Sequence, residues 1–134
     1  MPEGEETWKG HATIIEESQR QLPPGVVPDA VVTCVGGGGL LMGILQGVDQ
    51  AQWPAKVVAA ETVGASSLYT SLQCGELVTL DGINSVAKSL GAQRVSEKVF
   101  EACRTKTADE FESVVVTDAE VPCLPLHLLT RPHC

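Results

Sequence analysis

The stretch AVVTCVGGGGLLMGI, Ala30 to Ile44, carries one apolar run into four consecutive glycines and out into another. Ala30 to Val35, behind Pro28-Asp29, has the length of a buried strand, and Leu40 to Val48 reads as a helix. Between them Gly36, Gly37, Gly38 and Gly39 expose backbone N–H groups with no side chain in the way. Glycine alone takes the backbone angles that a sharp strand-to-helix turn requires. The start of the following helix adds unpaired N–H groups and the positive end of its dipole. Such a turn is an anion cradle, and phosphate is the ligand that suits it. A linker would be polar, without Val and Leu runs at its flanks.

Working outward, Lys56 to Glu61 (KVVAAE) is a second strand, reached through Trp53-Pro54. Strand, glycine loop, helix and strand make one βαβ unit, which implies a parallel pair with a binding crevice beyond the strand ends. Gly43 and Gly47 lower helix propensity, so the sequence predicts a close packing contact with the sheet at both. Upstream, Trp8, Ala12, Ile15 and Leu22 recur at near-helical spacing, with Thr7 as the expected cap and Pro23-Pro24-Gly25 as the stop. Downstream come a short helix from Ser66 to Leu72 ended by Gly75, a helix from Ser96 to Arg104 and a third strand from Ser113 to Val116. Thr117 to Glu120 has the pattern of a helix start. The pattern changes at 121: VPCLPLHLLTRPHC holds three prolines and keeps no period. Residues 1–120 are expected to form the folded unit and 121–134 a divergent, loose tail.

At 134 residues the chain suits one domain or part of one, with 43% hydrophobic and only 4% aromatic residues. The core is then built from Val, Leu, Ile and Ala, as in parallel α/β sheets. A net charge of −8 argues against nucleic acid and anionic membrane as partners. The acidic start MPEGEETW is no secretory signal, and no apolar stretch reaches the length of a membrane span. Cys34, Cys74, Cys103, Cys123 and Cys134 show no CxxC pair or metal-type spacing with the histidines. A soluble, cytoplasmic protein with free thiols is expected.

The loop lacks the Lys-Ser or Lys-Thr of a P-loop, and Leu41 stands where GxGxxG needs its third glycine. Glu61, closing the second strand, resembles the ribose-binding acid of a dinucleotide fold. Taken alone, the unit fits dinucleotide binding nearly as well as binding of a single phosphate. Among the remaining reactive residues, Lys88 reads as structural or surface, His11 as a hydrogen-bonded packing residue and Cys34 as a small buried hydrophobe. The acidic clusters Glu3 to Glu6 and Asp109 to Glu112 read as solvated faces.

Four motifs then occur in order: WKGHATI at 8–14, VGGGGLLMG at 35–43, AAETVGASS at 59–67 and SVAKSLG at 85–91. From about Trp8 to Glu120 the chain resembles the serine/threonine dehydratase branch of the fold-type II pyridoxal-phosphate enzymes, specifically the L-serine dehydratase group. The resemblance implies an α/β fold: part of the three-layer αβα, parallel-sheet large domain of the tryptophan synthase β-like kind. It implies pyridoxal 5′-phosphate as cofactor, its phosphate on Gly36, Gly37, Gly38 and Gly39. It places Glu61 near the pyridine ring and in a monovalent-cation site, K⁺ for instance. Backbone carbonyls of Gly36, Ala65, Ser67, Leu90 and Ala92 would complete that site. The implied reaction is β-elimination, giving pyruvate and ammonia from L-serine or 2-oxobutanoate from L-threonine, in an enzyme that forms a homodimer at full length. The family's Schiff-base lysine lies in a Ser-aromatic-Lys motif far upstream of the glycine loop, and 35 residues precede Gly36 here. No residue of this chain is therefore read as that lysine. The expectation is an incomplete ammonia-lyase, with a non-catalytic truncated relative that binds phosphate or a full-length subunit, and a dinucleotide-binding fragment, as alternatives.

Overall fold

A computed structural model describes residues 4–121. In chain order its elements are α1 (Glu5–Gln21), β1 (Ala30–Cys34), α2 (Gly39–Ala51), β2 (Lys56–Thr62), α3 (Ser67–Cys74), α4 (Glu97–Arg104) and β3 (Phe111–Val116). The strands form one parallel sheet in the order β1-β2-β3, with Val31 opposite Val57 and Val57 opposite Phe111. Parallel pairing sends all three C-terminal strand ends to the same edge, where the glycine loop and Glu61 meet. The expected βαβ unit is present, and the third strand begins at Phe111, ahead of Ser113. The expectation for the tail concerns residues outside the described ones.

Side chains alternate across a strand, so Val31, Val57, Ala59 and Phe111 share one face. That face holds the core, where Val57, Ala59 and Phe111 cluster with Ile15 of α1, Ile44, Leu45 and Val48 of α2, Leu68 of α3, and Val99, Phe100 and Cys103 of α4. The opposite face bears Val32, Cys34, Val58, Ala60, Val114 and Val116, all partly or fully exposed. Val32 is 68% exposed. Two of the three layers that the resemblance implies are thus assembled among the described residues. Cys34, expected inside, points to this uncovered face and lies exposed, while Thr33 on the core face of the same strand is buried.

Helix α1 begins at Gly4, not at Thr7, which is helical and exposed; Glu5 and Glu6 occupy the first turn, where the helix dipole favours acids. Its buried stripe is Trp8, Ala12 and Ile15. Gly43 and Gly47 do make close contacts, but with α1 rather than the sheet. A Cβ on Gly43 would strike the His11 Cβ, and one on Gly47 would lie 2.8 Å from the Ile15 Cβ and 2.9 Å from the Ala12 carbonyl. α1 therefore docks by pressing its backbone onto a glycine seam of α2.

Helix α4 has a side-chain cap: the Val99 N–H donates to the Ser96 hydroxyl at 3.4 Å. Ser96→Ala should lower the unfolding free energy by about 1 kcal/mol, read as a shift in urea midpoint.

Candidate phosphate and cation site

The C-terminal edge of the sheet positions the glycine loop and Glu61. At the end of β1 the chain turns through Gly36 and Gly37 to Gly38, which caps α2 with φ +99°. A Cβ on Gly38 would sit 2.7 Å from one Val99 methyl and 2.8 Å from the other. A Cβ on Gly36 would sit 2.5 Å from the Leu90 carbonyl oxygen. Sterics on one side and backbone angle on the other therefore demand glycine. The Gly37 carbonyl accepts the Ser96 N–H at 3.1 Å, tying the loop to the start of α4. No side chain caps α2 and no acid lies in its first turn, so its leading N–H groups keep their capacity for an anion. This cradle fits a phosphate.

Trp8 stands behind the cradle. Its indole nitrogen lies 4.0 Å from where a Gly39 Cβ would be and is buried with no hydrogen-bond partner among the described residues. The Lys98 ammonium sits 5.4 Å above the ring. Sequence reasoning saw Trp8 only as a helix hydrophobe. His11 packs in the same seam, as expected, but its Nδ1 likewise has no partner among the described residues.

Glu61, the penultimate residue of β2, has its side chain on the core face and is only 4% exposed. Its Oε1 accepts the Leu68 N–H at 3.0 Å and its Oε2 the Tyr69 N–H at 2.7 Å. Both donors lie in the first turn of α3, so the carboxylate plugs that helix start. Burial raises its pKa from the ordinary 4.5, against the opposing pull of these two amides. The dinucleotide alternative needs this acid free for a ribose hydroxyl, whereas both oxygens are engaged inward. Next to it the Ser67 hydroxyl is 1% exposed and has no partner among the described residues.

The raised value sets a pH dependence. Glu61 holds its proton more tightly folded than unfolded, so its contribution to stability is full below about 4.5 and is lost as pH rises through the raised value. Glu61→Gln should flatten the fall in urea midpoint as pH rises above about 4.5, relative to the parent chain. Parallel curves for the two proteins would contradict this.

The remaining expected cation ligands lie on two segments that meet here. Ala65 is buried after β2, and the Gly91 Cα approaches so closely that a Cβ on it would be 2.8 Å from the Ala65 Cβ. The Leu90 carbonyl faces Gly36, and half-buried Ala92 follows. Val35, Glu61, Ala65, Leu90 and Gly91 line a common cavity of about 150 Å³. Gly36, Glu61, Ala65 and Leu90 are thus brought together, with Ser67 beside Glu61; no contact places Ala92 against the others. Lys88 is exposed on this loop, in keeping with a surface residue. Cys103, buried under α4, has its thiol pushed up to about 12 by desolvation, which leaves it unreactive.

The sequence pattern described as "Pyridoxal-phosphate dependent enzyme" matches residues 3–131. A mouse protein named "Serine dehydratase-like" is 45% identical over 114 residues, 84% of this chain and 33% of its own length. A bovine "L-serine dehydratase/L-threonine deaminase" is 40% identical over the same shares. The crystal structure of a fungal L-serine ammonia-lyase from Rhizomucor miehei superposes with a TM-score of 0.74 at 38% identity, over 84% of this chain and 35% of that one. The chain therefore spans about a third of the length of the relatives it matches.

Proposed function

Since the chain belongs to the family of pyridoxal-phosphate dependent enzymes, we propose that it carries the phosphate-holding and cation-binding part of an L-serine ammonia-lyase. That activity would convert L-serine to pyruvate and ammonia, and L-threonine to 2-oxobutanoate and ammonia. The observation that carries the reading is the uncapped start of α2, where neither Gly36 nor Gly38 has room for a Cβ. Gly36, Gly37, Gly38 and Gly39 would hold the cofactor phosphate, and Glu61 would lie near its pyridine ring. Bound there, the cofactor supplies the electron sink that a β-elimination needs. Glu61 and the carbonyls of Gly36, Ala65, Ser67, Leu90 and Ala92 form the proposed seat for a monovalent cation such as K⁺. A positive charge beside Glu61 would offset the burial that now raises its pKa, and keep the carboxylate ionised.

The partly exposed sheet face with Val32, Val114 and Val116 supports a second reading, in which this chain binds phosphate without catalysis and pairs with another copy or a longer subunit. Pairing as a homodimer, a cytoplasmic location and a part in amino-acid breakdown feeding glucose synthesis extend the first reading. Among the described residues no helix is long and apolar enough to cross a membrane.

The test is direct because Trp8 adjoins the cradle. Pyridoxal 5′-phosphate should quench tryptophan fluorescence in a Trp53→Phe background, and excess inorganic phosphate should reverse it. Pyruvate release from L-serine then separates the catalytic reading from the non-catalytic one. Binding of NAD without binding of pyridoxal 5′-phosphate would overturn both.

A further inference from the structure

The segment that carries Leu90 and Gly91 to the glycine loop has no regular structure of its own, yet its position is set by one buried polar knot. The Ser85 hydroxyl lies 2.7 Å from the Thr62 hydroxyl at the end of β2 and 2.7 Å from Asp118 Oδ1 just beyond β3. It also accepts the Ala87 N–H at 3.0 Å. A hydroxyl has one proton, and a carboxylate only accepts, so Ser85 donates to Asp118 and Thr62 must donate to Ser85. The second carboxylate oxygen, Oδ2, takes the Val86 N–H at 3.0 Å. The Ser85 oxygen is thereby filled, with one proton given and two received, and both carboxylate oxygens are used.

From this knot the chain is stiff to the site. The Leu90 and Gly91 N–H groups both return to the Ala87 carbonyl, at 3.1 and 3.0 Å, closing a tight turn whose far end sets the Leu90 carbonyl against Gly36. The same segment is fixed at its start, where the Asn84 N–H donates to the Gly64 carbonyl at 2.9 Å. We propose that Asp118, acting through Ser85, is a positioning residue for the glycine loop: it fixes the height of the 85–91 turn above Gly36, and through it the shape of the phosphate cradle. The inference rests on the reading of that cradle given above and adds residues to which the reading assigns no role.

Amide hydrogen exchange of the full chain tests the linkage without any ligand. Ser85→Ala should speed exchange at Ala87, Leu90 and Gly91 roughly tenfold, as expected when a buried hydrogen-bonded anchor is removed. It should also speed the Ser96 amide, whose proton rests on the Gly37 carbonyl. Amides of Val57 to Ala60 in the core of β2 should be unchanged. Asp118→Asn, which keeps one acceptor and loses the other, should act in the same direction and provides the test if Ser85→Ala fails to fold. Ser85→Thr, which retains the hydroxyl, should restore parental exchange. Quenching by pyridoxal 5′-phosphate should weaken several-fold in Ser85→Ala and recover in Ser85→Thr. Faster exchange confined to 86–91, with the Ser96 amide unchanged, would overturn the proposal, as would equal acceleration throughout β2. A parent chain that does not bind the cofactor at all would instead sink the proposed function, and the Ser96 amide would still decide this inference.

Discussion

Gly38→Ala is expected to destabilise the chain by about 2–4 kcal/mol and to abolish quenching by pyridoxal 5′-phosphate. Two costs combine. At φ +99° a side chain is strained whatever the space around it, which costs about 1–3 kcal/mol. The added methyl would also lie 2.7 and 2.8 Å from the two Val99 methyls, an overlap that costs about 1–3 kcal/mol in a packed core. Val99 is completely buried in the first turn of α4 and has no open space to retreat into. Relief must come from the loop itself, which would move the N–H groups that form the cradle. Val99→Ala discriminates between the two costs: in that background Gly38→Ala should lose the overlap with Val99 and keep the strain, along with the 3.0 Å approach to a Val95 methyl. Urea unfolding of the four proteins gives the coupling directly. Full additivity would show that the methyl contacts carry no cost.

The second large effect lies in the helix seam and runs against helix propensity. Gly43 sits inside α2, where alanine is intrinsically better by about 1 kcal/mol. Yet a Cβ there strikes the His11 Cβ and comes within 2.8 Å of the Trp8 carbonyl. Those neighbours belong to the α1 backbone or lie next to it, so they yield only if the whole helix moves. Overpacking then exceeds the propensity gain, and Gly43→Ala should be destabilising by about 1–2 kcal/mol, and Gly43→Val by more. Gly10 provides the control. It lies within α1 with nothing within 4 Å of its Cβ position, so Gly10→Ala should stabilise by about 0.5–1 kcal/mol. Thermal midpoints of the three variants suffice, and a stabilised Gly43→Ala would refute the seam.

Periodicity and punctuation made most of this fold legible. The strand, glycine loop and helix from Ala30 onward were readable because apolar runs and glycines mark their own limits, and Gly75 stops α3 where expected. The boundaries that failed did so for local reasons. Thr7 has the chemistry of a cap, but Glu5 and Glu6 extend the helix past it to Gly4. Gly43 and Gly47 declared a close contact without declaring the partner, since spacing on one helix says nothing about which element lies opposite. Cys34 was misplaced because a short apolar strand does not declare which of its two faces is covered.

The candidate site was legible only in part, for a related reason. The glycines and Glu61 stand at element ends and announce themselves. The Thr62–Ser85–Asp118 knot does not, because its members come from three separated segments and each has a plausible local role. Asp118 in particular reads as an early acid of a helix. In the structure 118–121 form a turn and not the expected helix start: the Thr117 N–H and hydroxyl both donate to Glu120 Oε2, while Asp118 turns away to Ser85. No single-sequence pattern distinguishes these two uses of an acid.

The parallel order of the sheet also bears on the time course of folding. Neighbouring parallel strands cannot be joined by a tight turn, so each pairing must wait for an intervening helix to close a long loop. The contact between Gly36 and Leu90 bridges two such closures, and its partners on β2 and β3 have to be in register first. Helices α1 and α2, parted only by the segment that carries β1, are expected to associate before the more distant pairings, and the cradle should be the last region to acquire native structure. Binding competence would then lag behind the recovery of helical signal during refolding.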